Sequence, residues 1–151
     1  MQVLESTVNP QSDDFRANAE VMEAHIATFR DVEQKVLDLA EAAREKFTKR
    51  GKLLPRDRIN RLLDRGTPFL ELCSLAGYKM HDDKDGSLSG GGIIAGIGTV
   101  SGVRCLVVAS NSAIKGGTIT PAGLDKTLRL QQIAMENKLP WCHCLKAAAP
   151  T

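Results

Sequence analysis

The sequence has few aromatic residues, no long apolar run and little excess of charge of either sign. Aromatic residues make up 4% of its 151 residues, with one Trp and one Tyr. No apolar run approaches the roughly 18 residues of a membrane-spanning helix, and the start of the chain lacks the layout of a secretory signal or transit peptide. The formal net charge of +2 disfavours a nucleic-acid footprint. We therefore expect a cytoplasmic chain, with neither membrane nor nucleic acid among its partners.

The cysteine content is also too low for a disulfide scaffold. Four cysteines in a cytosolic chain of this size do not indicate a disulfide framework. Cys73 and Cys105 lie in apolar, strand-like runs, which predicts that both are buried small hydrophobic residues. Hydrophobic residues account for 42% and charged residues for 25%, a balance that excludes a disordered chain and is typical of a globular domain.

The first third of the chain is predicted to be mostly helical. Residues 1–14 are polar and predict a flexible arm. Over residues 15–50 the apolar positions recur three or four apart, which predicts an amphipathic helix that packs on the rest of the protein. A coiled coil is the weaker alternative, because the spacing persists for under four heptads. Gly51 is a natural stop for this helix, and Pro55 opens a second, shorter one.

Two charged stretches could be taken for ligand sites, but the residues of both favour a structural role. The arginines after Pro55 predict a solvated face with internal pairs to Asp57 and Asp64 rather than an anion site. The stretch His81–Gly86 fails as a calcium loop, because its register would place Gly92 where the bidentate Glu belongs. We expect a flexible acidic loop there.

The middle of the chain changes to strands and turns. Phe69–Leu72 is a short strand candidate, and two β-rich runs, 93–100 and 103–109, joined by Ser101-Gly102 predict a hairpin. The glycines at 96, 98 and 102 are not a dinucleotide fingerprint, because the third glycine comes one residue late and a strand follows it.

The segment Ser110–Pro121 carries the strongest local signal for a ligand. It follows a buried strand and precedes a helix with Thr120 as its N-cap and Pro121 as its first residue, extending to about Asn137. Glycines let a ligand approach the backbone closely, and helix N-terminal amides together with Lys115 favour a phosphate or carboxylate. A packing role for the loop is an equal alternative.

Seven ordered stretches resemble one family, the carboxyltransferase (β) subunits of biotin-dependent acyl-CoA carboxylases. The branches most similar to it are the methylcrotonoyl-CoA and geranyl-CoA carboxylases. The stretches are Gly51–Asp64, Phe69–Leu72, Ala76–Tyr78, Gly90–Gly98, Ser110-Asn111, Lys115–Thr118 and Arg129–Pro140. So many motifs in order make chance an inadequate explanation.

The resemblance implies an α/β fold, namely an incomplete, crotonase-like N-terminal carboxyltransferase domain preceded by the long amphipathic helix. It implies acyl-CoA as substrate, and as carboxyl donor carboxybiotin on a biotin carboxylase/biotin carrier partner subunit. It also implies homo-oligomers, no covalently bound cofactor and no metal. By analogy the loop lies along the CoA, with Asn111, Lys115, Gly116 and Gly117 as the binding residues. The segment Thr118–Gly123 departs from the methylcrotonoyl pattern and leans toward the geranyl type.

The resemblance stops after Pro140. The family continues with a strand and a Ser-Gly-Gly-Ala segment whose backbone amides hold the enolate oxygen, whereas this chain reads Trp-Cys-His-Cys-Leu-Lys-Ala-Ala-Ala-Pro-Thr over 141–151. Deleting one base from plausible codons for the family's continuation gives this tail followed by a stop. We therefore expect an aberrant, unstructured frameshift tail, in which Cys142-His143-Cys144 is neither a metal site nor a nucleophile.

Two functions follow from this division into an arm (1–14), a helix (15–50), a partial carboxyltransferase domain (51–140) and a tail (141–151). The leading hypothesis is a fragment of a subunit that transfers a carboxyl group from carboxybiotin to a methylcrotonoyl- or geranyl-like acyl-CoA. Such a fragment has no catalytic residue of its own and is inactive alone. The alternative is a non-catalytic CoA-binding or assembly module that pairs with full-length subunits through the helix over 29–47.

Overall fold

The computed structural model describes residues 5–81, 83–114, 116, 118 and 120–144. The chain divides into two compact units, residues 1–35 and 36–151. The elements of the described residues, in chain order, are α1 (Asp13–Ala42), α2 (Arg44–Thr48), α3 (Pro55–Leu62), β1 (Leu70–Glu71), β2 (Ile93–Val100), β3 (Val103–Ser110), α4 (Pro121–Glu136) and β4 (Trp141–Cys144). None of these helices is both long enough and apolar enough to cross a membrane.

The first unit consists mainly of residues 13–35 of helix α1. Helices α1 and α2 confirm that most of residues 15–50 are helical, although α1 ends at Ala42 and the predicted single helix is divided there. The Ser12 hydroxyl accepts a hydrogen bond from Phe15 N over 3.2 Å, as an N-cap does. On the apolar face of this unit, Met22, Ile26 and Phe29 are 59%, 41% and 52% exposed. The packing of this face on the rest of the protein stays a prediction.

The second unit is built on a four-stranded sheet in the order β1-β2-β3-β4. Strands β2 and β3 form the predicted antiparallel hairpin, with Val100 opposite Val103 at its turn. Strand β4 runs parallel to β3, with Trp141 opposite Leu106. The expectation of an unstructured tail is therefore wrong for residues 141–144, because β3 offers its free edge to them.

Strand β3 is the centre of the core, because its side chains are buried on both faces. Cys105, Val107 and Ala109 pack with Ile59 of α3 on one face. The other face packs against α4 through Leu106, Val108, Leu130 and Ala134. A strand covered on both sides has a continuous apolar run of residues. This run is the sequence feature that predicted β3.

The two glycines of β2 make room for neighbouring segments. A methyl group at Gly96 would clash with Leu70 O and the Phe69 ring, and one at Gly98 would clash with the side chain of Leu63. These glycines therefore serve sheet packing, in agreement with the exclusion of a dinucleotide fingerprint.

Asp64 holds the turn of the β2–β3 hairpin. Its carboxylate accepts hydrogen bonds from Ser101 N at 2.8 Å and Gly102 N at 2.7 Å. Both turn residues have positive φ, 51° and 78°, as the two-residue turn that matches strand twist requires. Asp64 therefore pairs with the hairpin rather than with an arginine of its own stretch, so the expected internal pair is wrong.

Two further expectations need correction. Asp83 of the acidic loop is only 3% exposed, because it accepts hydrogen bonds from Lys79 N and Leu88 N at 3.0 and 2.8 Å, so a flexible acidic loop is wrong at this residue. Cys73 is exposed, whereas Cys105 is buried as predicted. Burial and the neighbouring Cys142 thiol raise the pKa of Cys105.

The start of α4 lies against a turn made of Gly90, Gly91 and Gly92, which we call the glycine turn. Thr120 caps the helix by accepting a hydrogen bond from Gly123 N at 3.0 Å, which confirms the predicted cap. A methyl group at Gly91 would lie 2.7 Å from the Gly123 Cα, and one at Gly123 would clash with Gly91 O. The two backbones therefore touch because neither residue has a side chain.

We predict that Asp64→Ala lowers the free energy of unfolding by about 1–2 kcal/mol, because two backbone donors of the turn lose a charged acceptor. Asp64→Asn should lose part of this amount, since an amide oxygen accepts without charge. Urea unfolding of both variants measures the effect, with the exposed Glu136→Gln as control. A change in Asp64→Ala no larger than that of the control would contradict the role of Asp64.

We also predict that Gly123→Ala destabilises the protein, although Ala favours helices over Gly by up to about 1 kcal/mol. Its methyl group has no space against Gly91 O, and overpacking of this kind costs about 1–3 kcal/mol. Thermal unfolding should show a lower midpoint for Gly123→Ala and no loss for Gln131→Ala on the exposed side of α4. A higher midpoint for Gly123→Ala would refute the close contact.

Candidate functional site

A cleft of about 380 Å³ lies in the second unit between α2 and the loop that follows β3. Its lining consists of small or apolar residues and of cations. They are Ala43, Lys46, Phe47, Arg50, Lys52, Ser112, Ala113 and Gly116. None of them is acidic, so the lining concentrates positive charge.

The turn at the end of α2 positions two of the three cations that line the cleft, Arg50 and Lys52. Lys52 N donates to Phe47 O and Gly51 N donates to Thr48 O, both at 2.9 Å, which is the hydrogen-bond pair of a Schellman motif. Gly51 has the positive φ of 62° that this motif needs. The chain reverses there, so Arg50 and Lys52 lie on the same cleft as Lys46.

Other arginines near the cleft are engaged in structural pairs. Arg44 donates to both carboxylate oxygens of Asp57, at 2.8 and 3.2 Å, and also pairs with Glu41. The hydrogen bonds from Arg44 lower the pKa of Asp57. Asp57 therefore joins α3 to the residue that begins α2, which corrects the expectation that it pairs within its own stretch.

The loop on the other wall is fixed at the point where it leaves β3. Arg58 donates to Ser110 O at 3.0 Å, and Asn111 N donates to Gly92 O at 2.8 Å. The Asn111 side-chain oxygen accepts from Ala113 N at 3.3 Å, and Ile114 N donates to Asn111 O at 3.1 Å. These bonds start the loop as a tight turn and turn Ala113 toward the cleft.

The four predicted site residues have different positions. Gly116 lines the cleft, with φ of 68°, and apart from its chain neighbours no atom of the described residues lies within 4 Å of where a Cβ would stand. Asn111 is 6% exposed and shapes the loop through its own hydrogen bonds. Lys115 and Gly117 lie outside the described residues. The binding role of all four stays a prediction.

Sequence reasoning missed the three cations of the cleft. Lys46, Arg50 and Lys52 surround the glycine that ends α2, and residue spacing alone gives no reason to single them out. A cluster of cations around a helix C-terminal glycine is the one signal that could have indicated them, since such residues also stabilise helix ends.

The strand β4 contains the Cys142-His143-Cys144 sequence. Cys142 and Cys144 pack against the core on the α3 face of the sheet, and partial burial lowers the pKa of His143. Among the described residues, no group of three or more His, Cys, Asp or Glu side chains is placed to hold a metal ion.

The charge of the cleft suits an anionic ligand. Arg50, Lys46 and Lys52 are exposed, and within the described residues none of them takes part in an ion pair. Neighbouring Lys49, in contrast, is paired with Glu45 at 2.6 Å. Unpaired cations that share a concave surface raise the local concentration of anions, and guanidinium and ammonium groups are the usual phosphate ligands.

Comparison with known proteins identifies the family. A family model described as "Carboxyl transferase domain" matches residues 46–148. The chain is 45% identical over 139 residues to a probable mitochondrial methylcrotonoyl-CoA carboxylase beta chain of Drosophila melanogaster, covering 91% of this chain and 24% of that one. It is 51% identical over 100 residues to a biotin-dependent 3-methylcrotonyl-coenzyme A carboxylase beta1 subunit of Mycobacterium tuberculosis, covering 66% and 18%.

A solved structure agrees with these relatives. The beta subunit of P. aeruginosa geranyl-CoA carboxylase has a TM-score of 0.84 and 60% identity, covering 97% of this chain and 27% of that chain. The chain thus spans about a quarter of the length of the proteins it matches. The expected α/β, crotonase-like fold class is confirmed. Because the family model matches more than half of its residues, this chain belongs to the carboxyl transferase domain family.

Proposed function

We propose that this chain forms the acyl-CoA-binding part of a carboxyltransferase β subunit of the geranyl-CoA or methylcrotonoyl-CoA carboxylase type. The observation that carries the proposal is the cleft of unpaired cations, Lys46, Arg50 and Lys52, opposite Gly116. The 60% identity to a geranyl-CoA carboxylase beta subunit supports this branch of the family.

The chemistry of CoA fits the cleft. Its adenosine end carries a pyrophosphate and a 3′-phosphate, and the cleft presents three cations on one wall. The other wall is loop backbone around Gly116, where the absence of a side chain leaves space for a ligand. We infer that the cations hold the phosphates, while Asn111, Lys115, Gly116 and Gly117 form the loop along which the rest of the molecule lies.

The proposed donor of the carboxyl group is carried by another subunit. Related proteins are biotin-dependent, and we propose that carboxybiotin on a biotin carboxylase/biotin carrier partner subunit supplies the carboxyl group here. We assign no catalytic residue to this chain. Its contribution is to bind and orient the thioester, which lowers the entropic cost of bringing two bound reactants together.

Calorimetric titration with acetyl-CoA tests the proposal. We predict that Lys46→Gln, Arg50→Gln and Lys52→Gln each weaken binding about three- to tenfold, because each removes a charged hydrogen-bond donor to a phosphate. Lys49→Gln is the matched control, since Lys49 already pairs with Glu45 and does not line the cleft.

Two further measurements sharpen this test. Binding should weaken as salt is added, because exposed charge pairs are screened, and acetyl-dephospho-CoA, which lacks the 3′-phosphate, should bind more weakly than acetyl-CoA. No measurable binding, or equal losses in Lys49→Gln and in the cleft variants, would refute the proposed function.

A further inference from the structure

Lys126 is a buried amine on the second turn of α4. It is 3% exposed, and its Nζ donates to Ile93 O at 2.7 Å and to Gly90 O at 3.3 Å. Its neighbours include titratable groups from three other places: Glu71 on β1, Cys73 just after it and Arg56 on α3. Glu71 is itself bound by Arg56 through two hydrogen bonds, of 2.5 and 2.9 Å.

Burying a charged lysine side chain costs free energy, so the contacts of Lys126 need an explanation. Burial lowers the pKa of Lys126 to about 8, with Arg56 adding to the effect and Glu71 and Cys73 opposing it. Buried amines are tolerated when their donors are satisfied. Lys126 satisfies two of them on Gly90 O in the glycine turn and on Ile93 O directly after it, which no apolar side chain could do.

The glycine turn in turn holds both ends of the loop that bears Gly116. At the start of the loop, Asn111 N donates to Gly92 O at 2.8 Å. At its end, the Thr120 hydroxyl donates to Gly91 O at 3.4 Å, and a methyl group at Gly92 would lie 3.1 Å from Thr118 O. The carbonyls of Gly90, Gly91 and Gly92 thus accept from α4, its cap and the loop in succession.

We propose that Lys126 is a positioning residue for the acyl-CoA site: by fixing the glycine turn it sets the conformation of residues 111–114 and of Thr120, where the loop begins and ends. Lys126 does not line the cleft, so it acts on the ligand only through the backbone of the turn and loop. The effect on CoA affinity rests on the proposed function, whereas the effect on the loop does not.

Hydrogen exchange of the full chain tests the loop directly. In Lys126→Met the amides of residues 111–114 should exchange about tenfold faster or more, because the turn that accepts from Asn111 N loses both its charged hydrogen bonds. The amides of residues 103–107 in β3 should keep the wild-type rate. Lys126→Arg, which keeps a permanent positive charge and several donors, should restore much of the protection.

Two outcomes would overturn the proposal. One is an unchanged exchange rate over residues 111–114 in Lys126→Met. The other is an equal increase over 111–114 and 103–107, which would mean that Lys126 supports the whole fold. If Lys126→Met does not fold, Lys126→Gln replaces it, since its amide can still donate to one carbonyl and should give an intermediate rate over 111–114 alone.

The coupling between ligand binding and protonation of the Lys126 amine is measured as proton uptake. Ordering the loop favours the charged amine, so acetyl-CoA binding at pH 8.5 should take up part of a proton in the wild type and none in Lys126→Arg. Calorimetry in two buffers with different ionisation enthalpies measures this uptake, and acetyl-CoA avoids titration of a free thiol. Equal uptake in both proteins would contradict the linkage, whereas absence of binding would refute the proposed function and leave the exchange result to decide the role of Lys126.

Discussion

The contact between the glycine turn and the first turn of α4 is the constraint on which the site depends. Gly91 and Gly123 approach so closely that a side chain on either one would meet backbone atoms. This approach brings the Thr120 hydroxyl within reach of Gly91 O, and Lys126 Nζ within reach of Gly90 O and Ile93 O. The loop after β3 is bonded to the same turn at Gly92. The sheet, the helix and the loop are therefore all positioned by contacts with this short piece of backbone.

The basic residues of the second unit divide into two groups with different physical roles. Arg44, Arg56 and Arg58 bind Asp57, Glu71 and Ser110 O, and so join α2, α3 and the sheet. Lys46, Arg50 and Lys52 have no such partner among the described residues and gather at one cleft. The planar arginine fork suits the first role, because it can bind a carboxylate through two parallel hydrogen bonds. Local charge counts alone do not separate the two groups.

The strand β4 shows how tertiary context decides structure at the edge of a sheet. Its four residues lie within the range that the family model matches. They pair with β3 in parallel and place Cys142 and Cys144 on the α3 face of the sheet. A strand edge offers a row of unpaired donors and acceptors to any extended segment that reaches it. Trp141 in this segment also has high β-propensity, which favours a strand here.

The sequence alone determined the elements whose signals are local. Thr120 and Pro121 fix the start of α4, Ser101-Gly102 fixes the hairpin turn, and the apolar run of β3 identifies the central strand, because caps, turns and burial patterns act within a few residues. Only the tertiary structure decided which charges pair and which remain free. Asp64 reaches a turn 37 residues away, and Lys126 reaches carbonyls more than 30 residues away, distances at which sequence spacing carries no information about contact. The cleft of Lys46, Arg50 and Lys52 exists for the same reason, since it forms only when α2 and the loop after β3 meet.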